Sequence, residues 1–152
     1  MVATSTARNA CNASIWFDSA AGAPTDIGGS MNMVTIDLQR TLGEYSVFGA
    51  CITYRLQCGR DATFTLNIHY STSATEAERI LAVWATDTTC VSTPRTLTIY
   101  LPDKNVGSEK WQCEVLLESF NIVADHGNAG PMTVTAVLKP ASTDVTYTIA
   151  ST

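Results

Sequence analysis

The chain has 152 residues, a net charge of −5, and only 15% charged residues, against about 25% in typical soluble domains. This length suits one domain with a core that needs no disulfide or metal. The basic residues are scattered, which argues against binding to nucleic acid through its phosphates. No apolar run is long enough to span a membrane. Hydroxyl side chains replace the missing charges, with 22 Thr and 12 Ser. Because Thr favours strands, we expect a β-rich domain whose weakly charged surface is covered by a partner.

The amino-terminal half is predicted to consist mostly of strands. Residues 1–14 are small and polar and are expected to form an arm, followed by one domain over 15–152. Alternating apolar residues predict a strand at 33–38, after a loop rich in Gly and Pro. The alternation is strongest over 50–70, where we expect a β-hairpin whose turn is the Cys-Gly-Arg-Asp sequence at 58–61.

A change of period marks the single predicted helix. Over residues 75–86 the apolar side chains recur at spacings of three and four, which is the pattern of one helix face. This face consists of Ala77, Ile80, Leu81 and Trp84. The Thr-Glu-Ala-Glu sequence at 75–78 fits a capping box, in which the Thr hydroxyl and the Glu carboxylate each satisfy a free backbone N–H group.

Strand patterns return after the helix. Alternation predicts strands at 96–100, 110–123, 134–138 and 145–149, separated by polar loops. Seven or eight strands with one helix are typical of a β-sandwich or barrel with a helix on its flank. The chain is therefore expected to be mostly β.

No catalytic or cofactor-binding motif is present in the sequence. Phosphate loops, dinucleotide fingerprints, nucleophile elbows and zinc-protease motifs are all missing. Glu114 and Glu118 are four apart on one predicted strand, so both should lie on the same face. Paired carboxylates can serve acid–base catalysis, but an acidic strip on a solvent-facing sheet is the commoner case. The five cysteines include no C-x-x-C pair and are expected to be reduced thiols. We expect a protein without enzymatic activity, metal or cofactor.

Several short segments occur in an order that is found in a known family. They are WFDSAAGAPTDI at 16–27, VTIDL at 34–38, SVFG at 46–49, IYLPD at 99–103, ESF at 118–120 and LKP at 138–140. Over about residues 15–150 the chain resembles the bacteriophage major tail tube proteins of the siphophage type, which have no contractile sheath. One departure is the Ser of SVFG, where the family has Thr.

The resemblance implies a fold and an assembly. The fold is two packed antiparallel sheets, a barrel-like sandwich, with one flanking helix at about 75–86. Six copies form a ring, and the rings stack into a tube whose channel conducts the genome into the host. Expected partners are the tape measure, tail terminator and distal tail proteins, with double-stranded DNA passing through without specific binding and no membrane involved. The expected location is the virion tail, assembled in the bacterial cytoplasm.

The resemblance also suggests functional residues. Acidic side chains on the channel wall would repel DNA, because Lys and Arg would release counterions and bind it. The candidates for the channel wall are Glu114, Glu118 and Asp37. An arm at 1–14 and a loop at roughly 40–50 would bridge neighbouring rings. The candidate inter-ring contacts in these two segments are Arg8, Arg40, Glu44, Tyr45 and Phe48.

Two other functions fit a β-rich chain without catalytic motifs. A capsid decoration protein would bind a shell as trimers and would not polymerise alone. A small ligand-binding β module, such as a sugar binder, would be a monomer with a saturable ligand.

Overall fold

A computed structural model describes residues 10–18, 22–49, 53–71, 73, 75–88, 93–124, 127, 130–141 and 144–151. It contains eight strands and one helix: β1 Ser14–Asp18, β2 Pro24–Asp26, β3 Met31–Ser46, β4 Thr53–His69, α1 Ala77–Ala85, β5 Arg95–Leu101, β6 Glu109–Val123, β7 Thr133–Pro140 and β8 Thr146–Ile149. Two short 3-10 turns lie at Ala10–Asn12 and Gly28–Ser30. The predicted mostly-β class with a single helix is confirmed.

Hydrogen bonds join all eight strands into one antiparallel sheet. The order is β2-β1-β5-β6-β7-β4-β3. β8 pairs with the first residues of β6, on the edge that β7 occupies further along the strand. The expected two packed sheets are therefore parts of one continuous sheet, since β6 pairs with β5 along its first half and with β7 along its second. The short β2 was missed in the sequence, because its three residues carry no apolar alternation.

The sheet curls until its distant strands face each other across a common core. On a flat sheet β1 and β3 would be about 24 Å apart, five strand spacings, yet Ile15 of β1 and Val34 and Ile36 of β3 line one groove. The core is a single cluster that includes Phe17, Leu66 and side chains from β5, β6, β7 and α1. The curl therefore gives the sandwich-like packing that the sequence predicted.

A β-bulge in the middle of β6 changes which side chains face the core. The register with β7 shifts between Leu117 and Ser119, so Glu118 is the additional residue. Cys113 and Val115 are buried before the bulge, and Phe120 packs against the core after it. The extra residue of a bulge reverses which side chains of the strand face the core. The alternation that placed Glu114 and Glu118 on one face therefore does not hold across the bulge.

The long β3–β4 hairpin corrects the predicted turn at 58–61. β4 runs without interruption through these residues, and the chain reverses instead after Ser46. Arg40 pairs with Arg60 and Thr41 with Cys58, which leaves Gly59 as the extra residue of a bulge. Gly59 has φ +64°, a left-handed conformation that suits glycine in a bulge. The sequence signal was therefore real, but it marked a bulge rather than a turn.

Helix α1 covers one end of the core. Ala77, Leu81 and Trp84 are buried, and Ile80 packs against the core while partly exposed. The expected capping box is wrong, because the helix begins at Ala77 and its N-cap residue is Glu76, which makes no side-chain capping bond. The Thr75 hydroxyl lies instead 3.3 Å from that of Ser73.

Candidate assembly surfaces

The distal part of the β3–β4 hairpin projects beyond the rest of the sheet. β7 pairs with β4 only from Phe64 onwards, and among the described strands residues 39–46 and 53–61 pair only with each other. At the base of this segment Arg60 forms an ion pair with Asp144 at 3.2 Å. We call these strand segments together with residues 47–49 the hairpin arm. The eight residues that follow Leu38 extend about 27 Å at the usual strand rise. The arm is thus long enough to reach another molecule.

Exposed apolar side chains are concentrated on this arm. Of the sixteen exposed large hydrophobic side chains among the described residues, six lie on the arm and a seventh, Leu38, lies at its root. The six are Leu42, Tyr45, Val47, Phe48, Tyr54 and Leu56. This concentration of exposed apolar side chains makes the arm a candidate interaction surface.

Two cross-strand pairs hold the arm in register. The rings of Tyr45 and Tyr54 stack with their centroids 5.3 Å apart. Arg55 Nε donates a hydrogen bond to Glu44 Oε1 at 2.7 Å. Such pairs stabilise an isolated ribbon only modestly, by a few tenths to about 1 kcal/mol each. The arm is therefore an ordered ribbon whose large apolar side chains have no core of their own.

Four of the five residues predicted to contact neighbouring rings lie on the hairpin arm. They are Arg40, Glu44, Tyr45 and Phe48, which the structure places in β3 and the following turn. The segment at 40–50 was expected to be a loop, and most of it is strand. Arg8 lies outside the described residues. The expected inter-ring contacts did not include Leu42, Tyr54 or Leu56, although Tyr54 and Leu56 belong to the alternating segment at 50–70 that predicted strands.

β3 also presents an open sheet edge. It pairs with β4 on one side and with no other strand of the described residues on the other. Sixteen residues of unpaired edge would be a liability in an isolated soluble protein, because the free N–H and C=O groups invite pairing with another chain. In an assembly the same edge can pair with a strand of a neighbouring subunit.

An apolar groove lies at the root of the arm. It has a volume of about 770 Å³ and runs between β3 and the strands β1, β5 and β6. Its lining includes Met31, Met33 and Val34 on one side and Ile15 and Trp111 on the other. Met33 is exposed, while Met31, Val34 and Trp111 are partly buried against the core. The groove therefore leaves part of the hydrophobic core open to solvent.

Two of the three acids proposed for the channel wall lie on the outer face of the sheet. Ile36 packs against the core and Val115 is buried, so their neighbours Asp37 and Glu114 point away from it. These acids are separated by three strand spacings, about 15 Å. Asp37 is exposed and accepts a hydrogen bond from Gln39 Nε2 at 2.7 Å, whereas Glu114 is half-buried and accepts one from the Thr96 hydroxyl. Glu118 is exposed at the β6 bulge.

The outer face between these acids is rich in hydroxyl and amide groups. Thr63 accepts a hydrogen bond from Lys139 Nζ at 2.7 Å, and the same ammonium lies 3.6 Å from Asp61 Oδ2. Thr135 donates a hydrogen bond to Asn67 Oδ1 at 2.9 Å. The one lysine on this part of the face is thus partly neutralised, and the surface is polar with a slight acidic excess.

A cation–aromatic cluster on the outer face of β1 and β5 was not predicted. Lys104 Nζ lies 3.7 Å from the ring centroid of Trp16 and 5.8 Å from that of Tyr100. Lys110 Nζ lies 5.9 Å from the Tyr100 centroid. No sequence spacing brings the 102–108 loop over β1, so this contact depends on the tertiary fold. The contact of Lys104 with Trp16 stabilises the position of the loop over β1.

The described residues contain no group of three or more His, Cys, Asp or Glu side chains that could hold a metal ion. No helix in this part of the chain is long and apolar enough to cross a membrane. The surface features of the described residues are therefore the hairpin arm, the open edge of β3, the apolar groove and the polar outer face.

Comparison with known proteins finds likeness in structure alone. No family model and no curated protein matches the sequence. Among solved structures, a chain of the anti-feeding prophage (AFP) baseplate, 6-fold symmetrised, aligns with a TM-score of 0.74 at 13% identity, covering 95% of this chain and 97% of that one. The chain therefore shares its fold with that baseplate chain.

Two further structures agree with this result. A chain from the sheath/tube terminator of PVC, an extracellular contractile injection system, aligns with a TM-score of 0.73 at 16% identity over 96% of this chain and 99% of that one. A chain from the tail of the empty gene transfer agent (GTA) particle, determined with C6 symmetry, aligns with a TM-score of 0.66 at 12% identity over 95% of this chain and all of that one. The likeness is one of fold, and it does not single out the siphophage type, since a contractile system is among the matches.

Proposed function

We propose that this chain is a tail tube subunit, a structural protein without enzymatic activity. Six copies form a ring, and the rings stack into a tube whose channel conducts a genome. The observation that supports this most is the fold shared over almost the full length of both chains with a tail determined under C6 symmetry.

The exposed surfaces fit this role physically. A ring needs a heterologous contact that closes, and stacking needs a second contact that does not. The hairpin arm and the open edge of β3, which share residues 39–46, are available for such contacts on every copy. An apolar arm and a long free edge would promote aggregation in a monomer, whereas both are covered in a tube.

The outer face of β3, β4 and β7 is the proposed channel wall. Its exposed acid Asp37 and its Thr and Asn side chains offer DNA no release of counterions, and Lys139 is held by Asp61 and Thr63. Glu114 and Glu118 are the alternative wall residues on β6. On this assignment DNA slides along the wall instead of binding to it.

The proposed partners follow from the place of a tube in a tail. The ends of the tube would meet terminator and distal tail proteins, and the channel would hold a tape measure protein before the genome passes. The protein would be assembled in the bacterial cytoplasm and reside in the virion tail. The arm expected at 1–14 would form the second bridge between rings through the residues before Ala10, because Ser14 belongs to β1 and Cys11 and Ala13 border the groove.

Sedimentation velocity over a concentration series tests the proposal. The wild-type chain should pass from monomers to species of six copies and then to large multiples of six as its concentration rises. A stable trimer that never grows would favour a capsid decoration protein instead, and a monomer at every concentration would contradict the proposal.

A further inference from the structure

An exposed aromatic knob and an apolar groove lie at opposite ends of the hairpin arm. Phe48 at the tip of the arm is fully exposed, and its neighbour Val47 is half exposed. The groove at the root is lined by Met33, Val34 and Trp111 among others and has a volume of about 770 Å³. This volume lies within the range of pockets that enclose a bulky ligand.

The knob cannot fill the groove of its own chain. Leu38 lines the groove, and the strand runs on from there to Ser46 without reversing. The extended backbone carries the tip about 27 Å away. The stacked Tyr45 and Tyr54 rings and the Glu44–Arg55 ion pair keep the arm extended.

We propose that the groove of each copy receives Phe48 and Val47 from the arm of a neighbouring copy. The inference rests on the proposed tube, and it names the surface that the arm binds. A buried aromatic side chain in a preformed apolar pocket is the usual form of an interface hot spot. Knob and groove lie on different parts of one chain, so the contact is heterologous and can propagate from copy to copy.

The backbone around the groove supports the same occupant. β3 lines the groove and has an open edge. The arm segment of β4, residues 53–61, is also without a partner on the side away from β3 among the described residues. An incoming arm can therefore add main-chain hydrogen bonds to the side-chain contact, as in β-strand addition.

Residues 1–9 are the competing occupant, because Cys11 and Ala13 border the groove. Their sequence, MVATSTARN, is mostly small and polar. It offers the groove no aromatic side chain, whereas the arm tip offers Phe48. The chemistry of the groove therefore favours the arm of a second copy.

Site-directed crosslinking tests the contact. A Phe48→Cys variant in a Cys51→Ser background should be joined to Cys11 of another copy by a short bis-maleimide. The resulting dimer band should disappear when Cys11→Ser is added, and a Val106→Cys control, with its cysteine on an exposed loop, should give no band that depends on Cys11. Tubes whose crosslinks are insensitive to Cys11→Ser would overturn this inference and leave the proposed tube intact.

Assembly measurements provide the second test. Phe48→Ser should raise the concentration needed for half-assembly about thirtyfold, the effect of losing one hot-spot side chain. Val106→Ser, which removes another exposed apolar side chain, should leave it unchanged. The Phe48→Ser chain should unfold at the wild-type temperature, because Phe48 touches no core.

Three results would contradict the assignment. Normal assembly of Phe48→Ser would remove the knob from the interface. Cys11 could also be shielded from maleimide in tubes by the amino-terminal segment. If this shielding is lost when residues 1–9 are deleted but kept in Phe48→Ser, that segment is the occupant of the groove. A wild-type chain that stays monomeric at every concentration would overturn both the tube and this contact.

Discussion

Gly59 and Glu118 are each the extra residue of a β-bulge, and these two positions mark where residue-level prediction failed. Alternation of apolar side chains identified the strands around both. A bulge adds one residue without changing the composition, so the period-two pattern cannot reveal it. Gly59 carried a partial signal, because glycine tolerates positive φ, but the same signal is given by a turn. Glu118 carried none.

Cys113 allows a prediction about pH dependence. Burial, with a smaller contribution from Glu114, raises the pKa of this thiol from 9.0 to about 11. The folded chain therefore keeps a proton that the unfolded chain releases, and stability should fall as the pH rises from 9.0 to about 11. The loss should be on the order of 2 kcal/mol at pH 11.

Denaturant unfolding of wild type and Cys113→Ala at pH 8 and pH 11 measures this effect. The variant starts from a lower stability because it loses buried volume, but it should lack the part of the pH dependence due to the thiol. The same decline in both proteins would show that Cys113 is not its source.

The elements were predicted better than their boundaries and contacts. The helix face was found from its spacing, because a period of 3.6 is distinct among strands. The start of the helix was not, because the Thr of the apparent capping box binds another hydroxyl instead of the helix end. The hairpin arm was half recognised, since the sequence marked 40–50 as a bridging segment. Its exposed apolar residues look in sequence like those of a buried strand.

The independence of the arm gives a prediction at this scale. Replacing residues 42–57 by Asn-Gly should join Thr41 to Cys58, which are already cross-strand partners, through a tight hairpin turn. The described side chains removed are almost all exposed, so the shortened chain should keep the wild-type circular dichroism spectrum and unfolding temperature. It should nevertheless stay monomeric at concentrations where the wild type assembles.

The opposite outcomes are equally informative. Loss of folding would mean that the arm supports the core. Assembly by the shortened chain would mean that the arm is not needed to join subunits.

At the scale of the whole molecule, the low charge of the sequence acquires a physical role in the proposed tube. With 15% charged residues, large parts of the surface can be buried against neighbouring copies without burying unpaired charges. The fold could be predicted as mostly β with one helix from pattern alone. The curl of the sheet and the groove that it leaves could not, because they depend on contacts between strands far apart in sequence.

Charge reversal of the three candidate acids tests which strands line the channel. Asp37→Lys, or Glu114→Lys with Glu118→Lys, should place cations along the DNA path and slow genome passage without preventing assembly. The double variant also loses the bond from Thr96 to Glu114, so its folding should be checked by thermal unfolding. Val83→Lys adds a positive charge to the exposed side of α1 and should have no effect on passage. Normal genome delivery by a charge-reversed variant would remove its residues from the channel wall.

Electron microscopy of the concentrated wild-type protein shows whether six copies form stacked rings. End-on averages should show rings of six subunits around an open channel, and side views should show rings stacked into tubes roughly 80–100 Å wide, as expected for domains of this size around a channel that admits DNA. Discrete monomers or trimers at every concentration, with no rings, would contradict the account.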